Sequence, residues 1–245
     1  NIRLEIVFMA LPKLGYPTYE LELPSTGKTI KYRPFLVKEE KVLLLALDSK
    51  DEKQVVNAVK DLIKNCVMTR IKVDTLPSFD LEYLFLKIRG ASIGENIILT
   101  VTCLDDNETQ VEANINIDEV EVFKPEGHDK KIMFDDKTGI VMRYPSMKEF
   151  VEREFLQKEM KTEEVYDFIA DSIDQIFDDE EVYDSSTTSK KEFRTFVDSL
   201  TTKQFEKIQQ FYTTCPKLSH TFKVVNPNTG KESEYTVEGL QSFFA

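Results

Sequence analysis

Two histidines, three cysteines and a run of carboxylates are the side chains in this chain whose types could support chemistry. A Ser/His/Asp or Cys/His centre needs a base held against a nucleophile and a third group that orients the base. His128 and His220 lie in different segments. Cys215 and His220 come closest to such a pair, but they are five residues apart across Pro216, too little for a dyad. Both histidines therefore read as surface or core residues. Cys66 falls on the apolar stripe of a helical pattern and reads as a small buried hydrophobe. Cys103 and Cys215 stand beside expected hairpins, where a zinc ribbon would place a knuckle. Neither has a second Cys or His two to four residues away, as a structural zinc site requires. No metal and no cofactor is expected.

The carboxylates invite a different chemistry. Asp178-Asp179-Glu180-Glu181, followed by Asp184, could attract a divalent cation, but it lacks the alternating acidic spacing and central glycine of a calcium loop. The run reads as a solvated face or a docking surface for a basic partner. A hydrolase built from a carboxylate pair is the enzymatic alternative, and it needs a shared cleft that brings two acids within catalytic reach. Gly90-Ala91-Ser92-Ile93-Gly94 lacks the Gly-Lys-Ser/Thr ending of a phosphate loop. Leu23-Pro24-Ser25-Thr26-Gly27 matches a short sorting signal cleaved by sortases. Far from the C-terminus and without an apolar anchor after it, it reads as a hairpin turn.

Charge and composition narrow the classes further. The 245 residues carry a net charge of −12 and a sequence pI near 4.8. Glu149 to Asp184 holds 14 acidic and 3 basic residues, a net of −11, so the rest of the chain is close to neutral. That balance argues against nucleic acid and against anionic membrane surfaces, both of which recruit Lys and Arg. The longest apolar runs, Val42 to Leu47 among them, are six residues, far short of the roughly 20 that span a bilayer. Three widely spaced cysteines fit a reducing compartment. Met9-Ala10-Leu11-Pro12 reads as a natural start, with Asn1 to Phe8 as an upstream extension.

The elements that must position these groups are legible from periodicity. Thr18–Leu23 and Thr29–Tyr32 read as a hairpin, and a helix is expected from Lys38 to Leu47. A second helix opens on a Ser49…Glu52 capping box and carries Val55, Val59, Leu62, Ile63 and Cys66 on one face. A third follows Pro77 and ends near Gly90 or Gly94. Strict alternation through Val111, Ala113, Ile115 and Ile117 predicts a half-buried strand paired with Ile97–Cys103. A further hairpin is expected over Lys131–Phe134 and Ile140–Tyr144. Capping boxes at Ser146…Glu149, Ser189…Glu192 and Thr201…Gln204 open a helical region with stripes Val165, Ile169, Ile173, Ile176; Phe193, Phe196, Val197, Leu200; and Phe205, Ile208, Tyr212. Asp178 to Ser189 reads as a flexible connection. Thr221–Val225 and Glu234–Val237 form a closing hairpin before Leu240, Phe243 and Phe244.

The expected class is α+β in four parts: 1–95 as an N-terminal hairpin with helices, 96–145 as a central antiparallel β unit, 146–215 as an acidic helical segment, and 216–245 as a β-hairpin with a short helix. The densest stretch, Tyr16 to Cys66, advertises packing and surfaces. Its candidate partner contacts are Tyr32, Arg33, Pro34, Phe35, Lys38, Glu39 and Glu40, to which the acidic run adds Asp178, Asp179, Glu180 and Glu181.

Several of these segments together carry a resemblance. Tyr16-Pro17-Thr18-Tyr19, Leu23–Lys28, Tyr32–Lys41, Met142-Arg143-Tyr144-Pro145-Ser146, Phe196–Thr201, Cys215–His220 and Glu238–Phe244 occur here in an order and spacing that resembles the baseplate hub proteins of T-even-like contractile-tailed phages. The resemblance runs from about Met9 to the C-terminus. It implies a non-enzymatic hub component or hub-assembly factor that works through protein–protein contacts. The partners would be other phage baseplate hub or tail proteins, met in the host cytoplasm during assembly or in the virion tail baseplate. Within that pathway the alternative is a transient chaperone absent from the mature virion.

Overall fold

The computed structural model describes residues 14–146, 149, 162–239 and 242. Among them are six helices and eleven strands in small antiparallel sheets, the α+β class expected from the sequence. The expected start at Met9, the acidic stretch 150–161, and Leu240, Phe243 and Phe244 lie outside the described residues.

Strands β1 (Tyr19–Glu22) and β2 (Thr29–Tyr32) pair in the register Tyr19↔Tyr32, around a turn in which Gly27 takes a φ of 67°. Helices α1 (Val37–Asp48), α2 (Glu52–Cys66) and α3 (Ser78–Ile93) follow. The predicted stripe of α2 is buried at Val59, Leu62, Ile63 and Cys66, against Ile30 of β2 and Phe85 of α3. Its cap differs from the expectation. Lys50 adopts a φ of 54° and ends the preceding turn, so Asp51 becomes the N-cap and accepts the N–H groups of Lys53 and Gln54. Ser49 instead donates its hydroxyl to the Ala46 carbonyl at the end of α1, at 2.6 Å.

Helix α3 serves two cores. Leu81, Leu84, Phe85 and Ile88 face the first, while Leu86 belongs to the second. Gly90 lets Ile117 approach to 3.4 Å of where a β-carbon would stand. Asp80 in its first turn is fully buried and accepts both the N–H and the hydroxyl of Ser25, so the β1–β2 turn is tied to this helix.

The second core lies between two sheets. Strands β3 (Asn96–Thr102) and β4 (Gln110–Asn116) form the expected hairpin. Strand β5 (Glu121–Phe123) pairs with β10 (Lys217–Val225), which pairs with β11 (Glu232–Glu238), so the tail closes onto the middle of the chain. Alternation buries Ile97, Leu99, Ala113 and Ile115 against Leu218 and Val224. Asn226, 1% exposed, donates to Asp105 and Asp106 at 2.9 Å each and locks the two hairpin turns together.

A four-stranded sheet, ordered β6 (Lys131–Met133), β7 (Gly139–Met142), β8 (Ile173–Phe177), β9 (Val182–Asp184), forms the third core with α4 (Thr162–Asp171), α5 (Lys190–Asp198) and α6 (Thr202–Thr213). Here the structure corrects the sequence reading. The stripe Val165, Ile169, Ile173, Ile176 does not continue as one helix: α4 stops at Asp171, and the two later isoleucines lie on β8. A register shift in the pairing of β7 with β8 sets Ile173 opposite Met142 but Gln175 opposite Val141. The extra residue turns Ile173 and Ile176 to the same face, so a β-bulge produces a three-residue spacing that mimics a helix. The segment Asp178 to Ser189 is likewise a turn, a strand and a second turn rather than a loose connection. Gly139 is obligatory in β7, because a β-carbon there would stand 2.6 Å from both the Ile132 carbonyl and Phe177. The capping boxes at Ser189/Glu192, Thr201/Gln204 and Ser146/Glu149 all form.

His128 shows how distant segments meet in this core. It is 7% exposed, stacks on Tyr144 and Phe211, and links the Thr214 hydroxyl (2.9 Å) to the Tyr144 hydroxyl (3.1 Å). Burial lowers its pKa, with Lys124 adding to the effect and Asp129 opposing it. The neutral imidazole is thus the folded form. The stability it supplies is present above the unfolded pKa of about 6.5 and is lost as pH falls through the lower folded value. Replacing His128 with Phe takes away the hydrogen-bond partner of the Tyr144 hydroxyl, while the Thr214 hydroxyl keeps the Gln210 carbonyl at 2.8 Å. The replacement should lower stability at pH 7 by about 1–3 kcal/mol and flatten the pH dependence between 7 and 5, as read from urea unfolding.

Candidate functional site

The corner after β2 is built from residues that turn inward. Tyr32 is buried and stacks on Tyr19 at 5.6 Å between ring centres, and burial pushes its phenol up to about 12. Arg33 and Glu39 are 8% and 5% exposed and form a two-pronged ion pair at 3.0 and 3.4 Å. The terminal nitrogens of Arg33 also donate to the carbonyls of Pro34 (2.8 Å) and Asn65 (2.9 Å), and the Tyr16 ring lies against its guanidinium. Glu39 also accepts the N–H of Leu36 at 2.5 Å, which caps the first turn of α1. Burial alone would raise its pKa, yet the Arg33 guanidinium and the Leu36 N–H outweigh it and hold the carboxyl below its ordinary value. The Phe35 N–H is taken by Ser92 of α3 at 2.9 Å. Pro34, Phe35 and Glu40 are partly buried, and Lys38 extends into solvent. One pair of charges therefore pins β2, α1 and the end of α2 together.

What that corner holds in place is the outer face of α1. Leu43 and Ala46 pack inward against α2, whereas Val37, Leu44 and Leu45 are 80%, 53% and 59% exposed. These three, with the exposed Lys41, fall at positions i, i+7, i+8 and i+4, which share one side of a helix. Val42 is exposed beside them. Sequence reasoning missed Leu44 and Leu45 as surface residues. The signal was available in the run Val42–Leu47: six apolar residues in a row cannot all lie on one helix face, so some must point outward.

The acidic run lies elsewhere, at the tip of the β8–β9 hairpin. Asp178 accepts the N–H groups of Glu180 and Glu181, at 2.9 and 2.8 Å, and shapes the turn. Asp179 pairs with Lys137 of the β6–β7 turn, and Glu180 and Glu181 are exposed. Among the described residues no group of three or more His, Cys, Asp or Glu is placed to hold a metal ion, and no helix is long and apolar enough to cross a membrane. Burial pushes the Cys66 thiol up to about 11, against the pull of Arg33, so it stays a protonated core residue.

The family model described as T4 bacteriophage base plate protein matches residues 16–245. The chain belongs to this family. No curated protein and no solved structure matches it. For a phage baseplate protein, an apolar helix face on a rigid mount is a surface suited to contact with other phage proteins.

Proposed function

We propose that this baseplate protein is a component of the tail hub or a factor that assembles the hub, and that it works without catalysis, through protein–protein contact on α1. The observation that supports this reading is Val37, Leu44 and Leu45 standing in solvent on a helix anchored from behind by a buried ion pair. Single exposed leucines are ordinary, but a cluster on one rigid face marks an interaction site. Lys38 and Lys41 flank the patch, so the partner, another hub or tail protein met in the host cytoplasm, presents an apolar ridge with carboxylates at its edge.

The acidic hairpin tip adds long-range attraction to a basic region of the same assembly. Neutralising Asp179, Glu180 and Glu181 while keeping Asp178 for the turn should slow association about tenfold at low salt, with little effect on complex lifetime. Association kinetics at two ionic strengths check this, and unchanged rates remove the docking role of the tip.

Quantitative mass spectrometry of purified virions, run beside affinity capture from infected cells, tests the main reading. Stoichiometric presence in virions identifies a hub component. Capture of hub proteins with absence from virions identifies a transient assembly factor. Capture of no tail or baseplate protein contradicts both.

A further inference from the structure

Helix α3 carries a cation that the fold does not use. Arg89, one turn before the end of this helix, is partly buried, and its Nη1 is sealed from solvent with no hydrogen-bond acceptor. Among the described residues its side chain makes no ion pair and no ring contact either. The other arginines drawn out of solvent are held differently. Arg33 grips Glu39, Arg143 grips Glu149, and Arg194 is shared by Glu163, Asp167 and Asp198.

A guanidinium keeps its charge inside a protein, so Arg89 cannot escape burial by shedding a proton. Burial disfavours the charged form, and no acid nearby opposes that effect. Nothing in the described chain therefore compensates the charge, and an apolar side chain would fill the place at less cost. Nε and Nη2 are not sealed as Nη1 is, so one side of the fork is open to a group arriving from outside.

The neighbours of Arg89 indicate what that group is. Ile93, one turn further along the same side of α3, is 60% exposed. Ser92 beside it accepts the Phe35 N–H at 2.9 Å, which sets this end of α3 next to the start of α1, where Val37 stands in solvent. No second cation acts on Arg89. Ligands rich in phosphate recruit several Lys and Arg, whereas one guanidinium beside apolar side chains suits one carboxylate, taken by two parallel hydrogen bonds.

We propose that Arg89 is the receptor for a carboxylate, the side chain of an Asp or Glu presented by the protein that docks on α1. The proposal rests on the reading of the chain as a protein that acts through contacts on α1, and it names the residue that meets the partner's acid.

Three measurements test it. In the free chain, Arg89→Met should unfold at the same urea concentration as the wild type or a higher one, because the charge has no work there. A lower midpoint makes Arg89 part of this chain's own fold and overturns the proposal. The Nε–H resonance of Arg89, identified by its loss in Arg89→Met, should shift saturably when the full chain is titrated with acetate, but not with chloride at the same ionic strength. An equal response to both anions, or to neither, overturns it. Arg89→Met should also weaken binding of the captured tail protein about thirtyfold or more, with only partial recovery in Arg89→Lys, whose ammonium lacks the fork. Unchanged binding by Arg89→Met removes Arg89 from the interface and leaves the α1 reading standing. Capture of no tail protein by the wild type is failure of that reading, and the acetate titration still decides whether Arg89 takes a carboxylate.

Discussion

Replacing Glu39 with alanine is expected to destabilise the protein by about 3–5 kcal/mol, because it leaves the Arg33 guanidinium buried without its counter-charge. The same change removes the acceptor for the Leu36 N–H and so uncaps α1. An exposed pair in the same hairpin, Lys31–Glu20, sits at 64% and 58% side-chain exposure, and breaking it should lose about 1 kcal/mol or less. The difference between the two is burial, since both distances are close to 3 Å. Replacing both buried charges with apolar residues, Arg33→Met with Glu39→Leu, should restore much of the loss, as no uncompensated charge is then left inside. The pH dependence follows from the lowered pKa of Glu39. Its contribution is present above the unfolded value of about 4.3 and disappears as pH falls through the lower folded value. Urea unfolding of the wild type, Glu39→Ala and the double variant at pH 7 and at decreasing pH measures each of these effects. A loss below 1 kcal/mol for Glu39→Ala would falsify the role given to the corner.

Changing Leu44 and Leu45 together to glutamate should have the opposite profile. Both side chains are more than half exposed, so the thermal midpoint should stay close to the wild-type value, as for surface substitutions generally. Partner capture should fall by a hundredfold or more, since anchor residues at the centre of an interface are worth about 2 kcal/mol or more each. Lys41→Ala, at the edge of the same patch, should mainly alter association rate and salt dependence. Equilibrium binding to captured tail protein, measured beside a thermal melt, separates lost contact from lost fold.

The helices and hairpins were legible wherever a period was long and clean. The alternation in β4 and the stripe of α2 both follow from the side of each element that must be buried. Ile173 and Ile176 misled because a bulge gives a strand a helix-like spacing, and a bulge is a property of the pairing, not of one segment. The move of the α2 cap from Ser49 to Asp51 depended on a left-handed Lys50, a conformation that the residue type does not announce. Of the candidate contact residues, Arg33 and Glu39 were read as partner contacts, yet each is the buried partner of the other, set together by the Pro34 corner. The exposed leucines of α1 were hidden by the opposite habit, that of assigning apolar residues to a core. The meeting of His128 with Thr214 spans two sequence regions with no shared pattern, so only the fold reveals it.

In the proposed function, the outer face of α1 is where this baseplate protein meets another phage protein. A photo-activatable residue placed at Leu45, with a control at exposed Glu112 on β4, tests this in infected cells. Mass spectrometry of the crosslinked species should show a covalent adduct between position 45 and a phage hub or tail protein, with little adduct from position 112. Crosslinking from position 45 that matches the control, or adducts made only with host proteins, would contradict the account.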